Sequence, residues 1–390
     1  MQDNEKKPAL RFKGFTDPWE QRKLAEIANF SKGVGYSKND LCEEGTPIIL
    51  YGRLYTKYET SIFDVDTFVK ENAGSVYSKG GEVIVPASGE TAEDISIASV
   101  VVKPGILLGG DLNIVSPTTE YDSAFLALTI SSGAAHKYLS SLAQGKSVVH
   151  LHNADIQSVS AKFPTKREQE KIHLLFGKID TLITLHQRKY EKLVNIKKSM
   201  LDKMFPQNGA SMPEIRFKGF TDPWEQRKLG DLCVEFRSGE FISASDITET
   251  GEYPVFGGNG LRGFTDRFNH DGEYTLIGRQ GALCGNVNFA VGKSYFTEHA
   301  IAVRADKKNQ TRFLYYLFST MDLGQYSGQS AQPGLAVGNL VELKSTLPDK
   351  QEQEKISGVL TALDTLITLH QRKLEKLQNI KKACLEKMFV

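Results

Sequence analysis

Cysteine is scarce in this 390-residue chain, which contains only Cys42, Cys233, Cys284 and Cys384 and no C-x-x-C pair. This scarcity argues against a disulfide scaffold and a cysteine-based zinc site, and it favours a reducing compartment. No apolar run approaches the roughly 18 residues of a membrane-spanning helix. The polar first segment, MQDNEKKPAL, also lacks the apolar centre of a signal peptide. We therefore expect a cytoplasmic protein that does not enter a membrane.

The chain also lacks an excess of charge of either sign, with 48 Lys and Arg against 47 Asp and Glu. Charge is nevertheless segregated along the chain. Residues 166–206 and 350–390 have net charges of +5 and +3, whereas residues 31–165 and 237–349 have net charges of −5 and −2. Taken alone, the slight acidity of the two longer segments weakens a nucleic-acid-binding interpretation, which expects a basic patch.

Recognisable catalytic motifs are missing as well: there is no Walker A motif, no G-x-S-x-G elbow, no H-E-x-x-H and no nuclease-like cluster. Gly258, Gly260 and Gly263 form a G-x-G-x-x-G pattern, but the sequence after it, FTDRFNHDGEY, is not typical of a helix. No helix N-terminus would therefore meet a pyrophosphate, and we reject a dinucleotide site. The histidines have no ligand spacing. We expect neither a catalytic centre nor a metal site in this chain.

What the chain does contain is an internal repeat. Residues 11–24 and 216–229 both read RFKGFTDPWEQRKL, and residues 166–205 match residues 350–389 at 27 of 40 positions without a gap. The inserts between the matched blocks differ in length and resemble each other only loosely. This pattern favours one scaffold that carries two different readers. A recent duplication without functional divergence is the alternative.

The second repeated block predicts a long helix in each half of the chain. Ile172, Ile179, His186, Leu193 and Met200 recur at seven-residue spacing, which is typical of a coiled coil, and the second copy repeats the pattern. About 35 residues would form a rod of roughly 50 Å. Because either helix alone would leave an apolar stripe in water, we expect the two to pair, antiparallel, about a pseudo-twofold axis.

The inserts are not dominated by helix. Short runs typical of strands alternate with Gly-rich turns. The strand-like runs are EVIVP (82–86), ASVVV (98–102), EYTLIG (273–278) and HAIAVR (299–304). The segments SAFLALTIS (123–131) and TRFLYYLFS (311–319) are expected to be corresponding helices. Each insert therefore predicts a small α+β domain.

The predicted fold class is thus α+β, with two small α+β domains separated by two long helices that form an antiparallel coiled coil. The predicted boundaries follow the repeat. They are 1–165 for the first domain, 166–206 for the first spacer helix, 207–349 for the second domain including a short linker at 207–215, and 350–390 for the second spacer helix.

Together these features resemble a known family. The two-copy plan, the EQEKI and DTLITLHQRK helices, the FKGFTDPWEQRKL blocks and the YPVFGGNG and IGRQG loops are similar to specificity (S) subunits of type I restriction–modification systems. The resemblance extends over essentially the whole chain. The repeated helices and blocks are specific for the family, whereas the Gly-rich loops alone would not be. The slight acidity of the inserts fits the family poorly.

The resemblance implies a non-catalytic subunit whose two target recognition domains each read one half of a bipartite, asymmetric site in double-stranded DNA. It also implies assembly with two modification subunits, which use S-adenosylmethionine to methylate adenine. Two restriction subunits would add translocation and cleavage, with ATP and Mg. No cofactor is expected in this chain itself, and the expected location is the bacterial cytoplasm.

Polar loops of the inserts supply the candidate DNA contacts, because Arg suits guanine, Asn or Gln suits adenine and a carboxylate suits the amino group of cytosine. In the first domain the candidates are Tyr51, Arg53, Tyr55, Lys57, Ser88, Glu90 and Thr91. In the second domain they are Asn259, Arg262, Arg279, Gln280, Gln329 and Gln332. Lys57 could hold only a phosphate, which positions DNA without specifying its sequence, and Glu90 could merely order its loop.

Two other classes of function stay open at this point. One is a bivalent protein-interaction adaptor without DNA specificity, with a coiled-coil rod and two peptide- or sugar-binding heads. The other is a stand-alone DNA enzyme. Salt-dependent, sequence-specific binding to duplex DNA by a complex of this chain with its partners would favour the recognition subunit.

Overall fold

The computed structural model describes the chain at residues 7–145, 148–207, 209–281, 283–328 and 334–389. The chain divides into two compact units, residues 1–187 with 372–390, and residues 188–371. Each unit contains one insert, one copy of the RFKGFTDPWEQRKL block and one part of each long helix.

Both long helices form, as the heptad pattern predicted. The first spacer helix is Lys166–Met204 and the second spacer helix is Lys350–Met388. Thr165 and Asp349, both residue types that favour the N-cap position, directly precede them, and Asp349 Oδ1 accepts a hydrogen bond from the Glu352 N–H at 2.8 Å. Among the described residues, no helix is both long enough and apolar enough to cross a membrane.

The spacer helices pack against each other within each unit. In the first unit the rings of Phe176 and Phe389 lie 6.0 Å apart, and Asp180 pairs with Lys381 at 2.6 Å, so the two helices run antiparallel. In the second unit Asp364 and Lys197, which occupy the same positions of the repeat, pair at 2.5 Å. The predicted coiled-coil pairing of the two long helices is confirmed.

The first unit is an α+β domain built on a five-stranded sheet. The strands of this sheet lie in the order Ala28–Lys32, Leu112–Pro117, Glu82–Pro86, Ser99–Val101 and Ser61–Ile62. The strands of a four-stranded sheet lie in the order Leu107–Leu108, Thr46–Ile49, Phe68–Val69 and Leu41–Cys42. The first unit also contains two separate strand pairs, Glu20–Lys23 with Ser160–Phe163 and Ser88–Gly89 with Val149–His150. Its helices are Leu24–Ile27, Arg53–Thr56, Ala92–Ile95, Ser123–Ile130, Gly133–Leu142 and Asn153–Ser158, with a 3-10 turn at Lys38–Asp40.

The second unit has a simpler sheet arrangement. The strands of its four-stranded sheet lie in the order Cys233–Ser238, Ala300–Ala305, Glu273–Gly278 and Val287–Val291. The strands of its three-stranded sheet lie in the order Gly260–Thr265, Tyr253–Gly257 and Tyr295–Phe296, and Glu225–Lys228 pairs with Lys344–Leu347. The helices are Thr311–Ser319 and Val337–Glu342, with 3-10 turns at Leu229–Leu232, Ala244–Asp246 and Leu323–Tyr326. The four strands and two helices predicted from the inserts are all present, with ends that differ by at most one residue.

The repeated blocks build the same aromatic core in both units. In the first unit Phe125 stacks on Phe389 at 5.4 Å and meets the edge of Trp19 at 5.8 Å. In the second unit Phe313 stacks on Phe205 at 5.5 Å, with Trp224 in the position of Trp19. The tryptophan and one phenylalanine thus come from the repeat, whereas the central phenylalanine comes from the insert helix.

A buried ion pair joins each repeated block to the first turn of a spacer helix. Arg11 binds Glu168 through two hydrogen bonds of 2.7 and 2.8 Å, and Arg216 binds Glu352 through two of 2.8 Å. Both glutamate side chains are almost fully buried, at 0 and 1% exposure. A glutamate in the first helical turn also suits the positive end of the helix dipole.

One contact between an insert and a spacer helix involves ionisable side chains in the first unit and neutral side chains in the second. In the first unit His173 Nδ1 lies 3.0 Å from Asp122 Oδ2, and this hydrogen bond raises the pKa of His173 above its usual 6.5. The corresponding contact in the second unit joins two neutral side chains, Ser357 and Gln310. Only the first of these contacts can depend on the protonation of histidine.

We expect replacement of His173 by Gln to reduce the pH dependence of unfolding of the first unit. The raised pKa means that the His173 contribution is complete below pH 6.5 and is lost as pH rises through the folded-state value. At about pH 6, the free energy of unfolding of wild type should exceed that of H173Q by roughly 0.5–1 kcal/mol. Denaturant titrations between about pH 6 and pH 9 would measure the difference. A difference that stays constant over this range would contradict the expectation.

Candidate nucleic-acid interface

An open cleft of about 1370 Å³ in the first unit brings most of the predicted contacts of that domain together. Six of the seven predicted residues line it: Tyr51, Arg53, Tyr55, Lys57, Ser88 and Glu90. Thr91 is not part of its lining. The Thr91 hydroxyl caps the short helix Ala92–Ile95, where it accepts a hydrogen bond from the Asp94 N–H at 3.0 Å.

The guanidinium of Arg53 is committed to the protein. It is only 6% exposed, and it donates to Glu59 Oε2 at 2.7 Å and to Asp66 Oδ1 at 2.9 Å. Reading guanine needs two free donors directed at one base edge. Arg53 therefore supports the wall of the cleft, and a base contact by this residue, which stays a prediction, would require both ion pairs to open.

Tyr55 and Ser88 also hold the cleft together. The Tyr55 hydroxyl donates to the carbonyl oxygen of Ser88 at 2.7 Å, and burial raises the pKa of Tyr55 well above its usual value. The Ser88 hydroxyl lies 3.2 Å from Nδ1 of His150. The exposed ring of Tyr51 meets the Tyr55 ring edge-on at 6.2 Å. Of these aromatic residues, Tyr51 is the one that is open to a ligand.

Lys57 is exposed and forms a surface ion pair. Its Nζ lies 2.9 Å from Asp66 Oδ2, and this hydrogen bond lowers the pKa of Asp66. Both side chains are more than half exposed, so the pair contributes less than about 1 kcal/mol. Lys57 could exchange this partner for a phosphate at little cost.

Lys38 and Asp111 are among the residues that line the cleft but were not predicted from the sequence. Asp111 has a left-handed backbone with φ of 59°. The Gly109–Gly110 pair that precedes it was the available signal, since such pairs mark tight backbone turns. The chemical role of Asp111 depends on its surroundings in the fold.

In the second unit a β-hairpin presents the first group of predicted contacts. Strands Tyr253–Gly257 and Gly260–Thr265 are joined at Gly258 and Asn259. The G-x-G-x-x-G pattern therefore forms a turn between two strands, and among the described residues no helix follows it directly. Val255 pairs with Gly263 while Phe256 pairs with Leu261, which leaves Arg262 as the extra residue of a β-bulge. Bulges redirect side chains. Asn259 and Arg262 are both exposed.

The loop after strand Glu273–Gly278 packs closely against this hairpin turn. A Cβ atom on Gly278 would lie 2.3 Å from the Gly258 carbonyl oxygen, so only glycine fits there. The Arg279 N–H donates to the His299 carbonyl oxygen at 2.9 Å, and Gln280 Oε1 lies 2.9 Å from His299 Nδ1. Gln280 is exposed and Arg279 is half-buried.

In the second unit four predicted residues therefore lie close together, on the hairpin and on the loop after strand Glu273–Gly278. They are Asn259, Arg262, Arg279 and Gln280. His299 joins them, although no spacing in the sequence marked it, because it precedes strand Ala300–Ala305 at the same edge. Gln329 and Gln332, the remaining predicted contacts, lie outside the described residues.

A comparison with known protein families decides the classification. The family model described as "Type I restriction modification DNA specificity domain" matches residues 16–195 and again residues 221–379. The chain belongs to this family. The two matches correspond to the two halves of the internal repeat, and the resemblance inferred from the sequence is confirmed.

Individual relatives agree with this classification. The EcoprrI specificity subunit of Escherichia coli is 44% identical over 156 residues, which span 39% of this chain and 39% of that protein. The putative MjaX specificity subunit of Methanocaldococcus jannaschii is 22% identical over 391 residues, or 94% and 91% of the two chains. The crystal structure of the S subunit from M. genitalium matches with a TM-score of 0.73 and 17% identity over 98% and 99% of the chains, which shows a shared fold.

For this member of the specificity family, we expect Arg53→Met to lower the free energy of unfolding of the first unit by about 1.5–3 kcal/mol, because hydrogen bonds to charged groups contribute about that much. Lys57→Met removes an exposed partner of the same Asp66 and should cost less than about 1 kcal/mol. Denaturant unfolding of both variants would measure the contrast. Equal stabilities would show that Arg53 does not support the cleft.

Proposed function

We propose that this chain is the DNA-reading specificity subunit of a type I restriction–modification complex, and that each insert reads one half of a bipartite duplex site. The observation that carries the proposal is the double match to a DNA specificity domain, one match for each insert. The grouping of polar side chains in both units supports it. A bivalent protein adaptor would not require either feature.

The hairpin of the second unit suits the major groove. This groove is about 12 Å wide and admits a two-stranded β-ribbon. Asn259 at the turn offers the donor and acceptor pair that matches adenine, and Arg262 at the bulge offers the paired donors that match guanine. Arg279 and Gln280 would contact bases or phosphates beside the hairpin.

The cleft of the first unit would contact its half-site through Tyr51, Lys57 and Glu90. Lys57 would hold a phosphate and set the position of the DNA, because a phosphate contact carries no sequence information. Arg53, Tyr55, Ser88 and Thr91 act indirectly in this proposal, since their contacts shape the cleft. Sequence preference then comes from the exposed acceptors.

The chemistry of the complex would be carried by the partner subunits. Two modification subunits would use S-adenosylmethionine to methylate an adenine that leaves the helix, and this chain would select which adenine is presented. Two restriction subunits would use ATP and Mg for translocation and cleavage. The complex would act in the bacterial cytoplasm. Phosphate contacts from the partners would offset the slight acidity of the inserts.

A direct test combines binding with mapping of methylation. The chain, co-purified with its modification subunits, should bind one bipartite duplex far better than a scrambled one, and its affinity should fall steeply with salt. Sequencing of methylated adenines in a host that carries the complex would give the two half-sites. Binding without any sequence preference, or binding of a peptide or sugar in place of DNA, would contradict the proposal.

We expect Arg262→Ala to relax one base pair of the second half-site while the first half-site stays intact. Loss of a paired contact to a base should reduce discrimination by about 1–3 kcal/mol. Arg267→Ala is the matched control, because Arg267 is an exposed arginine five residues further on whose guanidinium already pairs with Asp246 at 3.0 Å. Methylation mapping of both variants would give the result. A uniform loss of affinity for all sequences would assign Arg262 to a phosphate.

A further inference from the structure

Two backbone segments meet at the rim of the cleft in the first unit. The segments are residues 33–36 and 108–111, and the Gly110 N–H donates to the Gly35 carbonyl oxygen at 2.6 Å. Each ends in a residue that lines the cleft and has a left-handed backbone, Tyr36 and Asp111, both with φ of 59°. The described residues contain three such positions outside glycine, and two of them are here.

This conformation is held by contacts on both sides. A left-handed residue other than glycine costs about 1–3 kcal/mol, although Asp tolerates it better than Tyr. The Tyr36 hydroxyl lies 2.6 Å from the Ser75 hydroxyl and accepts a hydrogen bond from the Asn72 N–H at 2.8 Å. A Cβ atom on Gly33 would lie 1.9 Å from the Gly109 carbonyl oxygen, so the close approach depends on glycine. Asp111 is thereby fixed at the rim.

The cleft contains free carboxylates and one exposed cation, Lys38, that has no side-chain partner among the described residues. The cations Arg53 and Lys57 are paired with carboxylates, as described above. Asp94 is also occupied, since it accepts from the Thr91 hydroxyl at 2.7 Å. Glu90 and Asp111 line the cleft, are exposed, and have no side-chain partner among the described residues. The cleft therefore offers two free carboxylates to a ligand.

We propose that Asp111, together with Glu90, determines the specificity of the first domain by accepting hydrogen bonds from exocyclic amino groups of bases in the major groove. These groups are N4 of cytosine and N6 of adenine. Guanine and thymine oppose a carboxylate with their own acceptors, so the same residues exclude them. The inference rests on the proposed function, and it assigns a role to the acidity that fits a DNA reader poorly.

Asp111→Asn is the decisive variant. Asparagine keeps the size of the side chain and tolerates the left-handed backbone, but its amide N–H can donate. Guanine and thymine could then accept a hydrogen bond from it through their acceptor atoms. One position of the first half-site should relax from cytosine or adenine, with discrimination reduced about 5- to 150-fold. The second half-site should be unchanged in the same methylation map.

Asp111→Gly separates strain from reading. Glycine adopts the left-handed backbone freely, so this variant should unfold at the wild-type temperature or above while it loses discrimination at the same base pair. Asp322→Gly is the matched control, because Asp322 has φ of 44° and belongs to the second unit. It should leave the first half-site unchanged.

A modified duplex tests the contact atom by atom. Purine in place of the contacted adenine, or 2-pyrimidinone in place of the contacted cytosine, removes only the amino group. Wild type should lose affinity for the modified duplex, and D111G should lose much less, because glycine has no side-chain acceptor for that amino group. Equal losses in wild type and variant would overturn the inference.

The outcomes also separate this inference from the proposed function. A wild-type complex that binds all duplexes equally would contradict the proposed function itself. A wild-type complex that is sequence-specific, with D111N and D111G retaining its methylation pattern, would overturn only the role of Asp111. A uniform loss of affinity for every sequence in both variants would overturn it as well, because it would assign Asp111 to the structure of the rim.

Discussion

The buried pairing of an arginine with a glutamate is the constraint on which the rest of each unit depends. Glu168 and Glu352 lie in the first turns of the spacer helices and are almost inaccessible to solvent. A buried carboxylate without its partner costs several kcal/mol, so Arg11 and Arg216 must sit where they do. This requirement fixes each repeated block against the start of a helix, and the adjoining strand pair and aromatic core follow from that position.

The inserts meet this common scaffold with different residues that serve one purpose. Thr60 donates its hydroxyl to Asp180 of the first Asp–Lys pair at 3.1 Å, and Tyr316 donates its hydroxyl to Asp364 of the second at 2.8 Å. A carboxylate between two packed elements needs more than one hydrogen-bond donor. Any hydroxyl that lies beside the carboxylate can supply the second hydrogen bond. The scaffold sequence is therefore restrained, whereas the inserts are free to diverge.

This freedom extends to the surfaces proposed to read DNA. The first insert forms a cleft in which Arg53 and Lys57 are paired and two carboxylates are free, and the second forms a hairpin with an exposed arginine at a bulge. Both rely on glycines where two backbones approach closely, at Gly33 in one unit and Gly278 in the other. Different side chains on one scaffold are what two different half-sites would require.

The sequence by itself determined the elements whose signals are local. Heptad spacing predicted both spacer helices and their pairing, and β-like runs identified strands. Only the tertiary structure decided which polar side chains are free. Arg53 is neutralised by Glu59 and Asp66, and Asp111 is held at the rim by a segment some 75 residues earlier in the chain. Hydrogen-bond partners are set by proximity in space, and neither composition nor periodicity encodes that proximity.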